Sequence, residues 1–242
     1  MARAAERLRK MTIAEFDEIA EKATEARDYE LIDGEIVMMT NPAETHEQIA
    51  SNIGARLKLA MDSRGCRTYQ GGMRVQADDN SKTFNKFKPD VVVRCGPPGT
   101  GAYITDPVVV VEVLSPSTMD NDRGPKLRFY KALPRVQRIV LVYSDQMRAE
   151  HYWRMEEGWR FEALTAPEQR FALEAVDFRM ELAQVYFDLA SRGLLEALGR
   201  EAHWPPIDVL PDRTKIFVPS AGTRRGDKRS SINVRLLQTI VE

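Results

Sequence analysis

The apolar positions of this chain change period several times, and each change marks an element. After Thr12, the residues Ile13, Phe16, Ile19 and Ala20 recur at helical spacing. "MTIAEFDEIAEKA" therefore predicts a helix with Thr12 at its N-cap. "YELIDGEIVMMT" switches to two short strand-like runs around Asp33-Gly34, a dipeptide suited to a tight hairpin turn. In "THEQIASNIGARLKLAMDSRG" the stripe Ile49, Ile53, Leu57 and Met61 predicts the clearest helix of the chain. Thr45 and Gln48 have capping-box spacing at its start, and Gly65 is a natural stop.

Strand signals follow in "TYQGGMRVQA" and "KPDVVVRC", then, across a Gly/Pro-rich loop, in "VVVVEVL". "PKLRFYKAL" predicts a short helix with Pro125 in its first turn. "RIVLVYS" and "AEHYWRM" flank Asp145-Gln146, and "GWRFEALT" completes an expected meander. Leu182, Val185, Leu189 and Leu194 predict a helix over 180–198. Beyond it the pattern decays into "HWPPIDVLPDRTK" and "SAGTRRGDKRSS". The expected organisation is one domain over 12–198 and a basic, loosely ordered tail over 199–242.

With 242 residues, 43% of them hydrophobic, the chain can bury one sizeable core with elaborations. It holds no apolar run long enough to span a membrane, and its first residues lack the apolar core of a secretory signal. Cys66 and Cys95 lie far apart with no CxxC motif, which predicts two free thiols in a reducing cytoplasm. The net charge of −1 hides an asymmetry. Arg3, Arg7, Arg9 and Lys10 oppose Glu6 at one end, and seven basic residues oppose Asp227 and Glu242 over 213–242. That leaves −9 on residues 11–212. So acidic a body disfavours strong non-specific DNA binding and suits a carboxylate site that needs a cation.

Such a site is visible where the two valine runs end. Both runs are apolar enough to be central strands covered on both faces. Alternation puts Val108, Val110, Glu112 and Leu114 on one face. If the runs pair antiparallel, Asp90 at the start of the first lies beside Glu112 at the end of the second. Two carboxylates there raise each other's pKa unless a cation intervenes, and a hard divalent ion such as Mg²⁺ is the natural one. The plain alternative is a pair of solvated acids at frayed strand ends. Lys126, fourteen positions after Glu112, shares a helical face with Tyr130. A helix folding back over the strand end would bring its ammonium to the acids, to orient or deprotonate a water or to neutralise an oxyanion. An ordinary solvated lysine is the competing reading. Glu30 and His46 mean little by themselves.

Taken in order, "YELIDGEIV", His46 opening a helix, "KPDVVV", "VVVVEVLSPST" and "DRGPKLRFY" resemble the Uma2 family of restriction-endonuclease-like proteins. That family lies within the PD-(D/E)XK nuclease superfamily, and the resemblance covers about residues 12–190. It implies an α/β fold, a restriction-endonuclease-like mixed central sheet flanked by helices. An N-terminal helix and β-hairpin and a C-terminal helix complete the expected architecture. It also implies metal-dependent hydrolysis of nucleic-acid phosphodiesters, with DNA as the expected substrate. Pro89-Asp90 and Glu112 match the superfamily signature, but Leu114 stands where its lysine belongs, and Lys126 matches the displaced lysine of Uma2-like sequences. The implied roles are Mg²⁺ or Mn²⁺ held by Asp90, Glu112 and the Val113 carbonyl, with Lys126 positioning water or stabilising charge. Glu30 would complete the metal shell or hold Lys126; His46 would contact a phosphate or orient a carboxylate. A homodimer is expected by analogy with nucleases that cut two strands. The competing reading is a nuclease-fold module that binds nucleic acid or protein without turnover.

Overall fold

The computed structural model describes residues 10–22, 29–39, 41–78 and 84–189. The chain divides into Met1–Trp204 and Pro205–Glu242, and every described residue belongs to the first unit. The expected tail over 199–242, and residues 190–198 of the expected C-terminal helix, lie outside the described residues.

Helix α1 (Ile13–Lys22) opens at Thr12, whose N–H and hydroxyl both donate to Glu15 Oε2 at 2.9 Å, while Glu15 N–H donates back at 3.3 Å. Strands β1 (Tyr29–Ile32) and β2 (Glu35–Met38) form the expected hairpin. Asp33 and Gly34 both take positive φ, 50° and 86°, as its two-residue turn requires. Helix α2 (Glu44–Met61) buries Ile49, Ile53, Leu57 and Met61 as its stripe predicts. Its start differs from expectation. Ala43 is the N-cap without a side-chain cap, so Thr45 lies inside the helix, and Glu44 and Glu47 face the positive end of the helix dipole instead. Gly65 stands past the helix end in the left-handed region.

The central sheet has six strands. In chain order they are β3 (Cys66–Gln70), β5 (Val91–Cys95), β7 (Pro107–Leu114), β8 (Arg138–Tyr143), β9 (Ala149–Met155) and β10 (Gly158–Leu164). Between them, β4 (Arg74–Val75) and β6 (Tyr103–Ile104) pair in parallel as a small satellite. The order across the large sheet is β10-β9-β8-β7-β5-β3. All neighbours run antiparallel except β7 and β8, which are parallel and need a crossover. The crossover is helical: α3 (Met119–Asn121), a π-helical turn over Asp122–Lys126, and α4 (Leu127–Ala132). Pro125 therefore lies inside a helix that began six residues earlier, rather than in a first turn. Proline would clash in a regular α-turn, and the wider π-turn accommodates it.

The last described stretch corrects the expected helix over 180–198. Strand β11 (Arg170–Leu173) pairs with β12 (Phe178–Glu181), and only Leu182–Val185 is helical, as α5. Leu182, Val185 and Leu189 are buried, so among the described residues the apolar spacing reports burial rather than a continuous helix. The expectation of free thiols is also overturned. Cys66 and Cys95 face each other across β3 and β5 and are joined as a disulfide, with Cα atoms 3.9 Å apart. The sequence spacing of 29 residues gives no hint of this, because only strand register makes the two neighbours.

Alternation along the strands divides the core. Val109, Val111 and Val113 of β7 pack with α2, while Val110 and Leu114 pack with Leu127, Phe129 and Tyr130 on the α4 side. Among the described residues no helix is long and apolar enough to cross a membrane.

Candidate active site

The site gathers at the end of β7, on the α4 side. Val91 is paired with Val111, which sets Asp90 abreast of Glu112, as the antiparallel expectation requires. One Asp90 oxygen accepts the Val113 N–H at 2.6 Å and lies 3.4 Å from His46 Nε2 on α2. The Val113 amide thus touches the Asp90 carboxylate directly. Burial works against charging His46, but Asp90, with help from Glu47 and the Val113 backbone, outweighs it and raises the histidine pKa.

Glu30 arrives from the hairpin. Leu31 bridges Lys86 through two backbone hydrogen bonds, tying β1 to the segment that leads into β5. Glu30 Oε1 then accepts the Lys88 N–H at 2.8 Å and sits 3.1 Å from Lys126 Nζ. The π-turn supplies the rest. Asp122 and Lys126 are four residues apart on one face, 3.0 Å from carboxylate to ammonium, and Lys126 also lies 3.5 Å from Glu112 Oε1. Tyr130, four residues further, donates its hydroxyl to Glu112 Oε1 at 2.6 Å. Glu30, Glu112, Asp122, Lys126 and Tyr130 are all buried, each 4% exposed or less. The Phe87 ring lies 5.9 Å from Lys126 Nζ, closing the site on its apolar side.

Three carboxylates on one ammonium, with Asp90 beyond, make a centre richer in negative than positive charge. Burial pushes the Glu112 pKa well up; Lys126 opposes this, while Asp122, Asp90 and Glu30 add to it. Glu30 is raised by burial too, against the pull of Lys126 and the Lys88 N–H. Burial disfavours the Lys126 ammonium, yet the four acids together hold its pKa well above the usual lysine value. Lys126 is accordingly a fixed cation. The Tyr130 hydroxyl is raised by burial and by Glu112, so it remains a donor.

All five side chains expected at the site converge, in two connected groups: Asp90 with His46, and Glu112 with Lys126 and Glu30. Asp122 and Tyr130 complete the second group. Asp122 could have been found from its i, i+4 relation to Lys126 and from the acid excess a buried lysine demands. Among the described residues no three His, Cys, Asp or Glu side chains are grouped so as to hold a metal ion by themselves. The donor chemistry nevertheless suits a hard cation of the magnesium kind, which takes one or two carboxylates and completes its shell with water and phosphate. Asp90 and Glu112, abreast at the strand ends, are the carboxylates that would offer oxygens to it.

Comparison with known proteins agrees with the fold. The chain is 29% identical over 184 residues to the uncharacterized protein slr1290 of Synechocystis, covering 75% of this chain and 94% of that one. It is 29% identical over 146 residues to sll1609 of the same organism, covering 59% and 80%. Its structure is similar to the crystal structure of "a putative nuclease belonging to DUF820" from Anabaena variabilis. That likeness has a TM-score of 0.58 at 16% identity and covers 71% of this chain and 96% of that one. The model of the Uma2 family, described as "Putative restriction endonuclease", matches residues 13–183, and the chain belongs to that family.

Proposed function

We propose that this protein is a metal-dependent endonuclease that hydrolyses phosphodiester bonds of nucleic acid, DNA in the first place. The observation that carries this is the convergence of Glu30, Glu112 and Asp122 on buried Lys126, with Asp90 abreast of Glu112. A structural protein gains little from stranding three buried acids around one ammonium, since burying them costs more than an apolar replacement. Asp90 and Glu112 would hold Mg²⁺ or Mn²⁺, which supplies polarisation of the scissile phosphate and acidification of a bound water. His46 holds Asp90 from the α2 side, and the Val113 N–H fixes the same carboxylate. Tyr130 fixes Glu112. Lys126, kept charged by its neighbours, orients a water or stabilises charge developing on the phosphoryl oxygens. The surrounding acids favour its ammonium form. Glu30 and Asp122 keep its ammonium in place. A homodimer that cuts both strands belongs to the same reading.

The test is incubation of the protein with plasmid and with single-stranded DNA, in Mg²⁺, Mn²⁺ or EDTA, beside Glu112→Gln and Lys126→Met. Cleavage that needs the metal and vanishes in both variants is expected. Cleavage unchanged in the variants would overturn the assignment. Calorimetry tests the ion separately: binding that persists in a double Asp90→Ala, Glu112→Ala variant would remove those residues as its ligands. One observation favours a second reading, a module that binds nucleic acid without turnover. Leu114, fully buried, stands where the wider superfamily places its lysine. Binding with no cleavage under any metal would select that reading.

A further inference from the structure

A second polar centre lies one strand beyond the first. In the sheet register Glu112 is opposite Leu141, and Leu141 is opposite Glu150, so the two acids share a row and a face across β7, β8 and β9. Two strand spacings separate them, about 10 Å. Glu150 is 1% exposed, and its surroundings are the reverse of those of Glu112. Its Oε1 accepts from Arg123 at 3.1 Å, Arg148 at 3.2 Å and the Tyr143 hydroxyl at 2.9 Å, and its Oε2 from the Tyr152 hydroxyl at 2.7 Å. The first centre sets three acids on one cation; this one sets two cations on one acid. The Arg123 side chain is 47% exposed and that of Arg148 34%, although Arg148 Nε is itself buried, while the Glu150 carboxylate is 1% exposed. Arg148 also lies over the Tyr143 ring at 5.2 Å, and Lys131 over the Tyr152 ring at 4.2 Å, which extends the positive edge. Arg123 directly follows Asp122 in the π-turn, so consecutive side chains of one turn serve the two centres.

We propose that Arg123 and Arg148, splayed from buried Glu150, form a phosphate-binding fork for the nucleic-acid strand, beside the bond positioned at Glu112. The proposal rests on the nuclease reading above and adds to it the contact that holds the strand. Guanidinium groups match phosphate oxygens with paired N–H donors, and a fork already fixed by a carboxylate and a ring loses little freedom on binding. The single carboxylate leaves the pair one positive charge in excess. On a body with a net charge of −9 over residues 11–212, a polyanion needs such a local positive pole. The excess of acids over cations at the first centre would otherwise repel the backbone it has to cut.

The experiment is fluorescence anisotropy of a labelled oligothymidylate in EDTA, where no cleavage occurs, over a range of salt concentrations. The double variant Arg123→Gln, Arg148→Gln is expected to bind about tenfold more weakly or worse. Its plot of log affinity against log salt should be shallower by roughly 0.7 for each phosphate that the variant no longer neutralises. Removing both arginines strands a buried carboxylate, so the triple variant that adds Glu150→Gln is measured too. Its amide oxygen accepts from one of the two tyrosine hydroxyls and its NH2 donates to the other, and it should show the same weakening. Unchanged affinity and salt slope in the folded triple variant would overturn the fork, as would a wild type that does not bind oligothymidylate at low salt. Complete displacement by low millimolar inorganic phosphate would assign the fork to free phosphate and overturn the strand contact. Plasmid cleavage run in parallel separates the two readings. Cleavage with an irrelevant fork removes only this inference, whereas a fork that binds as expected without cleavage removes only the enzyme.

Discussion

The Tyr130 hydroxyl donates to Glu112 Oε1 at 2.6 Å, and neither side chain meets solvent. A buried carboxylate that accepts such a bond is fixed in direction as well as eased in energy. Tyr130→Phe should therefore cost about 1.5–3 kcal/mol, the worth of a hydrogen bond to a charged group. It should also reduce metal affinity, since Glu112 is left free to turn and its pKa rises further. Urea denaturation and calorimetric metal titration read the two effects. A variant equal to wild type in both would mean that the bond does not orient Glu112.

Lys126→Met removes the cation that Glu30, Glu112 and Asp122 share. Breaking a buried pair by deleting one member costs about 3–5 kcal/mol. The loss should shrink on acidification, because protonated acids no longer need the ammonium. Stability in urea at neutral pH and near pH 5 checks this; an equal loss at both would contradict the charge account.

The Glu112 and Glu30 pKa values are raised above 4.5 in the folded protein. The folded state then keeps protons that the unfolded chain gives up, so stability falls as pH rises from about 4.5 through the raised values. Lys126 acts at the alkaline end, where its contribution is complete below 10.5 and is lost as pH climbs through its higher folded value. Glu112→Gln should consequently gain on wild type between pH 5 and neutrality, and Mg²⁺ should narrow that gap by relieving the wild-type acid. Paired thermal melts across this range measure the difference. A gap that ignores both pH and metal would count against a charge-strained Glu112.

The cross-strand disulfide closes a sequence separation of 29 residues. In the chain-entropy account a loop of that size contributes about 3–4 kcal/mol. A double Cys66→Ser, Cys95→Ser variant, or wild type in a strong reductant, should unfold at correspondingly lower denaturant. No shift in either midpoint would show that the bond adds nothing to the folded state.

Much of the site is legible in the amino-acid sequence. Asp90 and Glu112 follow from two valine runs joined by a turn-rich loop, since antiparallel pairing leaves little choice about which ends meet. Lys126 follows from helical folding back over β7. Glu30 and His46 stand out only through family resemblance, because each reaches the site by a contact between distant segments. For Glu30 that contact is the Leu31–Lys86 bridge, and for His46 it is the seating of α2 behind Asp90. Asp122 lies before the predicted helix "PKLRFYKAL", and the π-winding around Pro125 is what makes it part of a helical face.

By itself the sequence determined the identity of the elements: α1 with its Thr12 cap, the Asp33-Gly34 hairpin, the α2 stripe, and the valine strands that deliver the two acids. These are set by the period of apolar residues and by local turn chemistry, which act within a few positions. Tertiary structure alone decided the pairing of Cys66 with Cys95, the arrival of Glu30 beside Lys126, and the row that runs from Glu112 through Leu141 to Glu150. Each depends on register between segments far apart in the chain. Register is settled by the packing of whole faces against α2 and α4, which no single stretch of sequence contains.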